Sequence, residues 1–370
     1  MNVHNDVYRR LQQHLDTWPV GFPSTEEGWE LDILEEIYTP EEAEFVLKLP
    51  YITNTPLNYL PLKEIYSLVK ILGINQDQTK KMLETLSKKG ILRYYKDPKT
   101  GKEFYRNLPF NEYGNGFIIR KKPTKKFLEA WEQYGKIWIK SYMGFGVPQY
   151  RTIPINTAIS YDNEIIPYDD IYKLIDMIGP PYAVAWCPCS LAKQQMGEIC
   201  KHKLRERCLI FNQQVIDLGF AREITKKELY ALLKKGEQEG LVLQPGNIKQ
   251  GRNICMCCSC CCGILSQAKK LSKPVQLFAT NYYAEVNSTV CEGNGICVDR
   301  CPMNAISVNG VSIINRDKCI GCGLCIPTCP SNAIHLKNKE DVIIPPEDWA
   351  DNHAKVMKRR REIGQLENNT

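Results

Sequence analysis

Cysteine placement is the feature that most constrains this chain. The 370 residues include 17 cysteines, and none of them precedes residue 187. Six fall within 255–262 and seven within 291–329. A disulfide framework would spread its cysteines along a small exported chain, whereas these are odd in number and crowded within a large one. The pattern therefore predicts metal ligation by thiolates in a reducing, anoxic cytoplasm.

Composition and charge set wider limits. Hydrophobic residues make up 43% of the chain and charged residues 24%, which is typical of a soluble globular protein of two or three domains. No run approaches the roughly 20 apolar residues that span a bilayer, and the start lacks a signal-peptide layout, so we expect no membrane insertion. Charge is segregated: residues 1–50 hold 3 basic and 11 acidic side chains, and residues 80–126 hold 14 basic and 4 acidic.

Residues 59–107 carry the pattern of two helices followed by a two-stranded extension. Pro61 marks a helix start, and Asn75 is a suitable cap for a second helix. The stretches ILRYYKDP and KEFYRNLPF alternate like strands on either side of a turn. This arrangement resembles the winged-helix fold, and we expect a basic, winged-helix-like domain over 59–126.

The fold class expected for the whole chain is α+β. An acidic helical segment is predicted at 1–58, before the winged-helix-like part. Helix and strand patterns alternate over 151–280, which predicts a Cys-rich α/β domain that binds metal. A separate C-terminal domain is expected at 285–338. The polar tail, 345–370, is predicted to be a solvated helix or disordered.

Two segments of the C-terminal domain repeat each other at a spacing of 28 residues. They are CEGNGICVDRCPMNAISV from Cys291 and CIGCGLCIPTCPSNAIHL from Cys319, with nine of 18 positions identical. The second copy has the C-x₂-C-x₂-C-x₃-C-P run that holds a [4Fe–4S] cluster in bacterial ferredoxins. The repeat resembles the two-cluster bacterial ferredoxin domain, whose fold is βαββαβ. Zinc, which favours two C-x₂-C pairs or mixed Cys/His sets, is the less favoured alternative.

This resemblance implies the ligands of one complete [4Fe–4S] cluster. In such domains the fourth cysteine of each run binds the other cluster. The complete site then consists of Cys301, Cys319, Cys322 and Cys325. In the first copy Asn294 stands where the second cysteine belongs. The remaining ligands of that site are Cys291, Cys297 and Cys329.

The three-cysteine site has three possible states. It holds a [3Fe–4S] cluster, or a [4Fe–4S] cluster whose fourth iron is open or has a non-cysteine ligand, or no cluster. Three thiolates supply most of the ligation and Asn is a poor iron ligand, so we favour an incompletely ligated cluster over an empty site. An open iron would also offer a place for substrate, whereas loss of a ligand by drift is the alternative explanation.

The other ten cysteines predict a further metal site. Several C-x₂-C registers overlap within 255–262, so spacing does not choose among them. Six cysteines in eight positions exceed what packing requires, and we favour an iron–sulfur site, with zinc as the alternative. The number of thiols allows two sites, and basic residues over 201–207 would offset their negative charge. The candidate ligands are Cys187, Cys189, Cys200, Cys208, Cys255, Cys257, Cys258, Cys260, Cys261 and Cys262.

Basic residues of the winged-helix-like part form a candidate docking surface. We expect them to contact a redox partner protein, and the alternative is contact with DNA phosphates. The acidic residues of 26–44 offer a third interpretation, because they would cover the same surface within the chain or across a dimer. The docking candidates are Lys80, Lys81, Lys88, Lys89, Lys99 and Lys102.

The chain as a whole resembles a family of multi-cluster iron–sulfur proteins from anaerobic bacteria and archaea. The resemblance rests on the opening VYRRLQQHLDTWPVGFPSTEEG, on YTPEEAE, on the CPC stretch, on the CMCCSCCC block, and on the two motif regions above. Members of the family are described as 4Fe–4S ferredoxin-like, which implies electron transfer without naming a substrate. Motifs for nucleotide binding or zinc-dependent hydrolysis are absent from the sequence.

Three functional hypotheses follow. The first is a protein that carries single electrons through [4Fe–4S], and possible [3Fe–4S], clusters to or from a redox partner. The second is a redox-sensing winged-helix regulator that binds DNA. The third is an iron–sulfur oxidoreductase, a reductase that acts at an under-ligated iron near Asn294 or within 255–262.

Restoring the missing cysteine tests the three-cysteine site. If a three-iron cluster forms there, Asn294→Cys should convert its EPR signal into that of a four-iron cluster, because the fourth thiolate completes the cube. The measurement is anaerobic EPR before and after dithionite. Asn294→Ala adds no thiolate and should keep the original spectrum. An unchanged spectrum in Asn294→Cys would show that this position does not determine the cluster type.

Overall fold

The chain folds into two compact units. In this computed structural model, one unit consists of 1–145 and 353–370, and the other of 146–352. Both helices and strands contribute, in agreement with the expected α+β class. Among the described residues, every helix is too short or too polar to cross a bilayer. The residues described are 3–51, 59–110, 118, 123–160, 164–249 and 251–366.

Helices build the first part of the first unit. They are α1 (Val3–Asp16), α2 (Trp29–Ile37) and α3 (Pro40–Val46). Leu11, Ile33 and Phe45 are fully buried where the three helices meet. Glu30 of α2 is fully buried as well, and its carboxylate accepts a hydrogen bond from Arg9 at 2.9 Å. Pairing with this guanidinium offsets the lost hydration of the carboxylate.

Two helices and a three-stranded antiparallel sheet follow. They are β1 (Leu60–Pro61), α4 (Leu62–Val69), α5 (Gln76–Lys88), β2 (Leu92–Lys96) and β3 (Glu103–Asn107). Pro61 precedes α4 and Asn75 caps α5, as the sequence predicts. Strand β3 lies between β1 and β2. Leu83 and Leu86 of α5 are fully buried, so the apolar face of this helix closes the small core.

A long helix, α6 (Lys125–Gly144), completes the main part of the first unit. It packs against α2 with Phe127 and Tyr134 buried. The predicted segments 1–58 and 59–126 extend beyond the described residues. The residues of these two segments that the structure does not describe are 1–2, 52–58, 111–117 and 119–122.

A five-stranded antiparallel sheet organises the second unit. The elements before residue 280 are β4 (Tyr150–Arg151), α7 (Ile171–Ile178), β5 (Ala183–Trp186), α8 (Pro188–Gln195), β6 (Glu206–Ile210), α9 (Gln213–Asp217), β7 (Arg222–Glu223), α10 (Lys226–Glu239), β8 (Val242–Pro245), β9 (Asn253–Cys257), α11 (Gly263–Ala268) and β10 (Phe278–Ala279). The strand order is β7-β5-β6-β9-β8. Thr225 caps α10 and Gly240 ends it.

The repeat region forms two antiparallel strand pairs around a small core. Its elements are β11 (Tyr282–Val286), α12 (Ile296–Arg300), β12 (Ile306–Asn309), β13 (Val311–Ile314) and β14 (Ile334–Asn338). Strand β11 pairs with β14, and β12 pairs with β13. The second helix expected from the ferredoxin resemblance is replaced by turns over 321–331. Pro327 explains this difference, because proline lacks an N–H and disfavours helical backbone at Ile326 before it.

Most of the polar tail forms a helix that is partly buried, whereas the sequence predicts a solvated helix or disorder. Helix α13 (Trp349–Glu362) occupies most of it, and 367–370 lie outside the described residues. Arg360 is 2% exposed, and its guanidinium donates to the carbonyl oxygens of Asp16 and Trp18 at the end of α1. A cation at a helix C-terminus is stabilised by the helix dipole, so this residue ties the tail to the N-terminal helices.

A buried polar cluster joins the repeat region to the rest of the second unit. Arg151 of β4 and Asp169 form an ion pair, and each side chain is 3% exposed. The amide nitrogen of Asn281 donates to the other oxygen of Asp169 at 2.8 Å. The amide oxygen of Asn281 accepts from the backbone N–H of Ile343 at 2.7 Å. The cluster therefore connects chain segments that are distant in sequence.

Removing one partner of this ion pair tests its contribution to stability. Asp169→Asn should destabilise the second unit by about 3–5 kcal/mol, because Arg151 is left as a buried charge without a carboxylate. The control, Asp317→Asn, breaks an exposed pair with Lys273 and should change stability by less than about 1 kcal/mol. Anaerobic thermal unfolding measures both. Equal midpoints for the two variants would contradict the assigned role.

Candidate metal centres

The two repeat copies share backbone geometry as well as sequence. Gly293 and Gly321, at matching positions, have φ of +65° and +67°. Asn304 and Asn332 also match, with φ of 50° each. A Cβ on Gly321 would lie 2.4 Å from the carbonyl oxygen of Tyr282, so this close approach admits only glycine. The loops therefore hold the cysteines of each copy in similar local arrangements.

The four cysteines of the predicted complete site line one cavity. Apolar side chains form the rest of its wall. The backbone N–H of Ala305 donates to Sγ of Cys301 at 3.3 Å, and that of Ala284 donates to Sγ of Cys319 at 3.4 Å. The lining cysteines are Cys301, Cys319, Cys322 and Cys325.

Burial makes the thiols of Cys322 and Cys325 poor acids. Loss of hydration raises the pKa of both Cys322 and Cys325, and neighbouring thiolates raise it further. Deprotonated sulfurs in this cavity therefore need a positive partner, which a bound metal supplies. The all-sulfur donor set, the N–H donors and the shared cavity fit a [4Fe–4S] cluster.

The three-cysteine site receives similar hydrogen bonds. The backbone N–H of Ser312 donates to Sγ of Cys291 at 3.3 Å, and that of Ala333 donates to Sγ of Cys329 at 3.3 Å. The N–H of Ser312 lowers the pKa of Cys291. The hydroxyl oxygen of Ser312 lies 3.2 Å from Sγ of Cys297. The contact with Cys291 favours the thiolate form that iron binds.

Asn294 is turned toward its own backbone. Its side chain is exposed, and its amide oxygen accepts a hydrogen bond from the N–H of Ile296 at 3.2 Å, at the start of α12. That oxygen is therefore engaged in capping. The donor set at this site consists of three sulfurs, with the Ser312 hydroxyl beside one of them.

The other ten cysteines separate into two groups. The first, which we call the four-thiol group, has all four sulfurs within 4.8 Å of one another. Sγ of Cys260 lies 3.3 Å from that of Cys258, 3.7 Å from that of Cys261 and 3.8 Å from that of Cys200. The members of the four-thiol group are Cys200, Cys258, Cys260 and Cys261.

The remaining six cysteines form a more extended set, the six-thiol group. Cys189 neighbours both Cys187 and Cys262, and Cys257 neighbours both Cys262 and Cys255. Sγ of Cys255 lies 3.9 Å from that of Cys208. Among the described residues, only the four-thiol group meets the 4.8 Å limit with three or more sulfurs. The members of the six-thiol group are Cys187, Cys189, Cys208, Cys255, Cys257 and Cys262.

Strand geometry decides which cysteine joins which group. Cys255 and Cys257 are two residues apart on β9, so their side chains share one face of the sheet. Cys208 of β6 pairs with Cys255 in the antiparallel register, which adds its sulfur to that face. Cys258 follows the end of the strand and turns toward Cys200 instead.

A buried arginine stands beside both groups. Arg207 is 1% exposed, and its Nη2 donates to Sγ of Cys258 at 3.1 Å and to Sγ of Cys200 at 3.5 Å. Burial alone would lower its pKa, but the charges of Cys187, Cys258 and Cys200 outweigh burial and raise it. The guanidinium is therefore charged and faces sulfur atoms.

The six candidate docking lysines have different surroundings. Lys80 forms an ion pair with Glu103 at 3.3 Å, and Lys89 pairs with Glu42 of the acidic segment. The acidic segment therefore covers part of this basic surface within the chain. The exposed members are Lys81, Lys88, Lys99 and Lys102.

Sequence reasoning missed two residues that support the metal centres, Ser312 and Glu239. It named a third, Arg207, only as part of a run of basic residues. Ser312 is a polar residue at the buried position of an apolar strand, and that exception is the signal that marks it. Glu239 gives no local signal, because it acts at a distance by accepting the backbone N–H groups of Lys203 and Leu204 beside Cys200. Arg207 could be singled out only by its burial.

Comparison with known proteins supports iron–sulfur binding by the repeat region. Residues 312–335 match the protein family described as a 4Fe-4S binding domain. The match contains the four cysteines of the second copy and excludes Cys301. No curated protein and no solved structure matches the chain significantly. The chain thus contains a 4Fe–4S binding domain, which together with its clustered thiols supports an iron–sulfur protein.

Proposed function

We propose that this chain transfers single electrons through iron–sulfur clusters, to or from a redox partner in anaerobic metabolism. The observation that carries the proposal is one cavity lined by four cysteines drawn from both repeat copies. A [4Fe–4S] cluster bound there accepts and releases one electron at a time. The ligands we assign are Cys301, Cys319, Cys322 and Cys325.

The chain contributes the environment of that cavity. Backbone N–H groups of Ala284 and Ala305 donate to sulfur ligands, which stabilises the additional negative charge of the reduced state. Arg300 interacts electrostatically with Cys322, and Lys339 with Cys319. These contacts favour the reduced form and so raise the reduction potential.

The three-cysteine site is proposed to hold a second, incompletely ligated cluster, either [3Fe–4S] or [4Fe–4S]. The N–H···S contacts to Cys291 and Cys329 repeat those of the complete site. Large apolar side chains next to its cysteines are exposed, with Val290 at 45% and Ile296 at 47%. Exposed apolar residues beside a redox centre suit transient contact with a partner protein.

The backbone segment 153–155 forms hydrogen bonds with both the repeat region and the five-stranded sheet, which we call the Cys-rich sheet. This connection supports an electron relay between the two. The N–H of Ile155 donates to the carbonyl oxygen of Cys322 at 3.0 Å. Two residues earlier, the N–H of Ile153 donates to the carbonyl oxygen of Leu243 in β8 at 3.2 Å. Strand β8 pairs with β9, which carries two members of the six-thiol group. Six sulfurs exceed the four that one tetrahedral ion binds, so we assign a polynuclear iron–sulfur centre to that group.

We retain the predicted domain boundaries as part of the proposal. They are an acidic helical segment (1–58), a winged helix (59–126), a Cys-rich domain (151–280), a ferredoxin domain (285–338) and a polar tail (345–370). A short strand, two helices and two further strands, with the strands joined in one sheet, support the winged helix. Its role is proposed as docking of a redox partner rather than DNA, because Lys80 and Lys89 are already paired with carboxylates. The crowded thiols favour a reducing cytoplasm.

Two neighbouring cysteines of the second copy test the crossed ligation. Cys325→Ala should alter or remove the EPR signal of the complete cluster and spare the other signal. Cys329→Ala should do the reverse, because its sulfur belongs to the three-cysteine site. Each variant therefore serves as the control for the other, and iron and sulfide analysis of anaerobic preparations accompanies the spectra.

Two results would contradict the proposal. If both variants changed the same signal, the ligand assignment would be wrong. If the unmutated protein contained zinc but neither iron nor inorganic sulfide, electron transfer by clusters would be excluded.

A further inference from the structure

The spacing of the four-thiol group differs from that of a cluster site. A tetrahedral metal ion with bonds of about 2.3 Å to sulfur separates its ligand sulfurs by about 3.8 Å. Within the group, Sγ separations are 3.9 Å for Cys200 and Cys258, 3.8 Å for Cys200 and Cys260, and 3.7 Å for Cys260 and Cys261. Cys258 and Cys260 are closer, at 3.3 Å. The sulfurs therefore already stand near the corners of a tetrahedron that fits one ion.

A four-iron cube would require wider spacing, because each cysteine then binds a different iron. The repeat region provides an internal comparison within the same unit. Among the described residues, no three sulfurs of the repeat region lie within 4.8 Å of one another. This includes the four cysteines of the complete site, which nevertheless line a shared cavity. The chain thus shows a wide sulfur arrangement where a cluster is assigned and a compact one at the four-thiol group.

Arg207 supplies an independent indication of a bound anionic centre. It is 1% exposed, and its Nε and Nη1 make no hydrogen bond to any described atom. Its Nη2 reaches Cys258 and Cys200, both of which belong to the four-thiol group. A buried guanidinium requires negative charge nearby, and four neutral thiols do not provide it. Four thiolates around one divalent metal carry a net charge of two minus, which does.

The loop that carries Cys200 is held in place from outside the group. The carboxylate of Glu239, at the end of α10, accepts the N–H groups of Lys203 at 2.8 Å and Leu204 at 3.0 Å. The other three sulfurs come from the turn after β9. Two anchored segments therefore form the donor set, as expected for a pre-organised metal site.

We propose that Cys200, Cys258, Cys260 and Cys261 bind a single tetrahedral metal ion, iron or zinc, with Arg207 as the positioning residue that balances its charge. This mononuclear site is separate from the clusters of the repeat region and does not depend on them. It also divides the ten upstream cysteines into one mononuclear and one polynuclear centre.

Loss of one ligand tests the stoichiometry in the full chain. Cys260→Ala, purified without air, should lose about one metal ion per chain, while the cluster EPR signals and sulfide content stay unchanged. Ser259→Ala, in the same turn, is the matched control and should keep all metal. Loss of about four irons together with sulfide, or no loss of metal, would overturn the proposal.

Spectroscopy of the unmutated protein gives a second measurement that needs no variant. If the ion is zinc, X-ray absorption should show four sulfur neighbours at about 2.3 Å and no metal neighbour. If the ion is iron, Mössbauer spectra should contain a mononuclear high-spin component in sulfur coordination. Absence of both signatures from a preparation with intact clusters would overturn the proposal.

Arg207 has its own test. Arg207→Met should increase the rate at which a chelator removes the ion by about 10–100-fold, and Arg207→Lys should restore part of the retention. For an iron site, Arg207→Met should also lower its reduction potential. Arg205→Met makes the same charge change two residues away and serves as the control. Equal effects from Arg205→Met and Arg207→Met, or no effect from Arg207→Met, would contradict the assigned role.

Discussion

Negative charge on closely spaced, buried thiolates is the constraint on which the second unit depends. Cys297 and Cys325 lie in the core of the repeat region together with Ala284, Ile306 and Ile334. At Cys325, lost hydration and then repulsion by neighbouring thiolates raise the pKa and oppose ionisation. Metal ions reverse this balance, which links folding of the unit to metal loading. The same reasoning explains the burial of Arg207 among sulfurs rather than carboxylates.

The sites differ in how well the sequence predicts them. In one site most of the ligands are close together in the sequence, and in the others the fold brings distant cysteines together. The run Cys319, Cys322, Cys325 is local, so spacing and repetition are sufficient to identify it. The ten upstream thiols could not be sorted in that way, since their grouping follows from the pairing of Cys208 with Cys255 across two strands. A register shift of one residue would have sent the sulfurs of β9 to the opposite face.

Fold predictions succeeded where local signals act alone. Asn75 caps its helix as expected, because capping depends on residues within one turn. The expected second helix of the repeat region did not form, and Pro327 gives the reason. The tail is predicted to be a solvated helix or disordered because charged residues usually face solvent. Arg360 instead donates to the carbonyl oxygens of Asp16 and Trp18 at the end of α1, and no sequence pattern reveals that contact.

The surroundings of the two repeat-region sites differ, and under the proposed function this difference gives electron flow a direction. On one side, Cys322 is buried, and a Cβ on Gly323 would lie 2.4 Å from Cβ of Ala158, so the 153–158 segment packs closely over the complete site. On the other side, Asn294 and Ile296 are exposed. Of these two sides, the exposed one allows a closer approach by the redox partner that we propose. Under that proposal, electrons exchanged there reach the cluster assigned to the buried site next, and the five-stranded sheet with the six-thiol group lies beyond the segment that covers it.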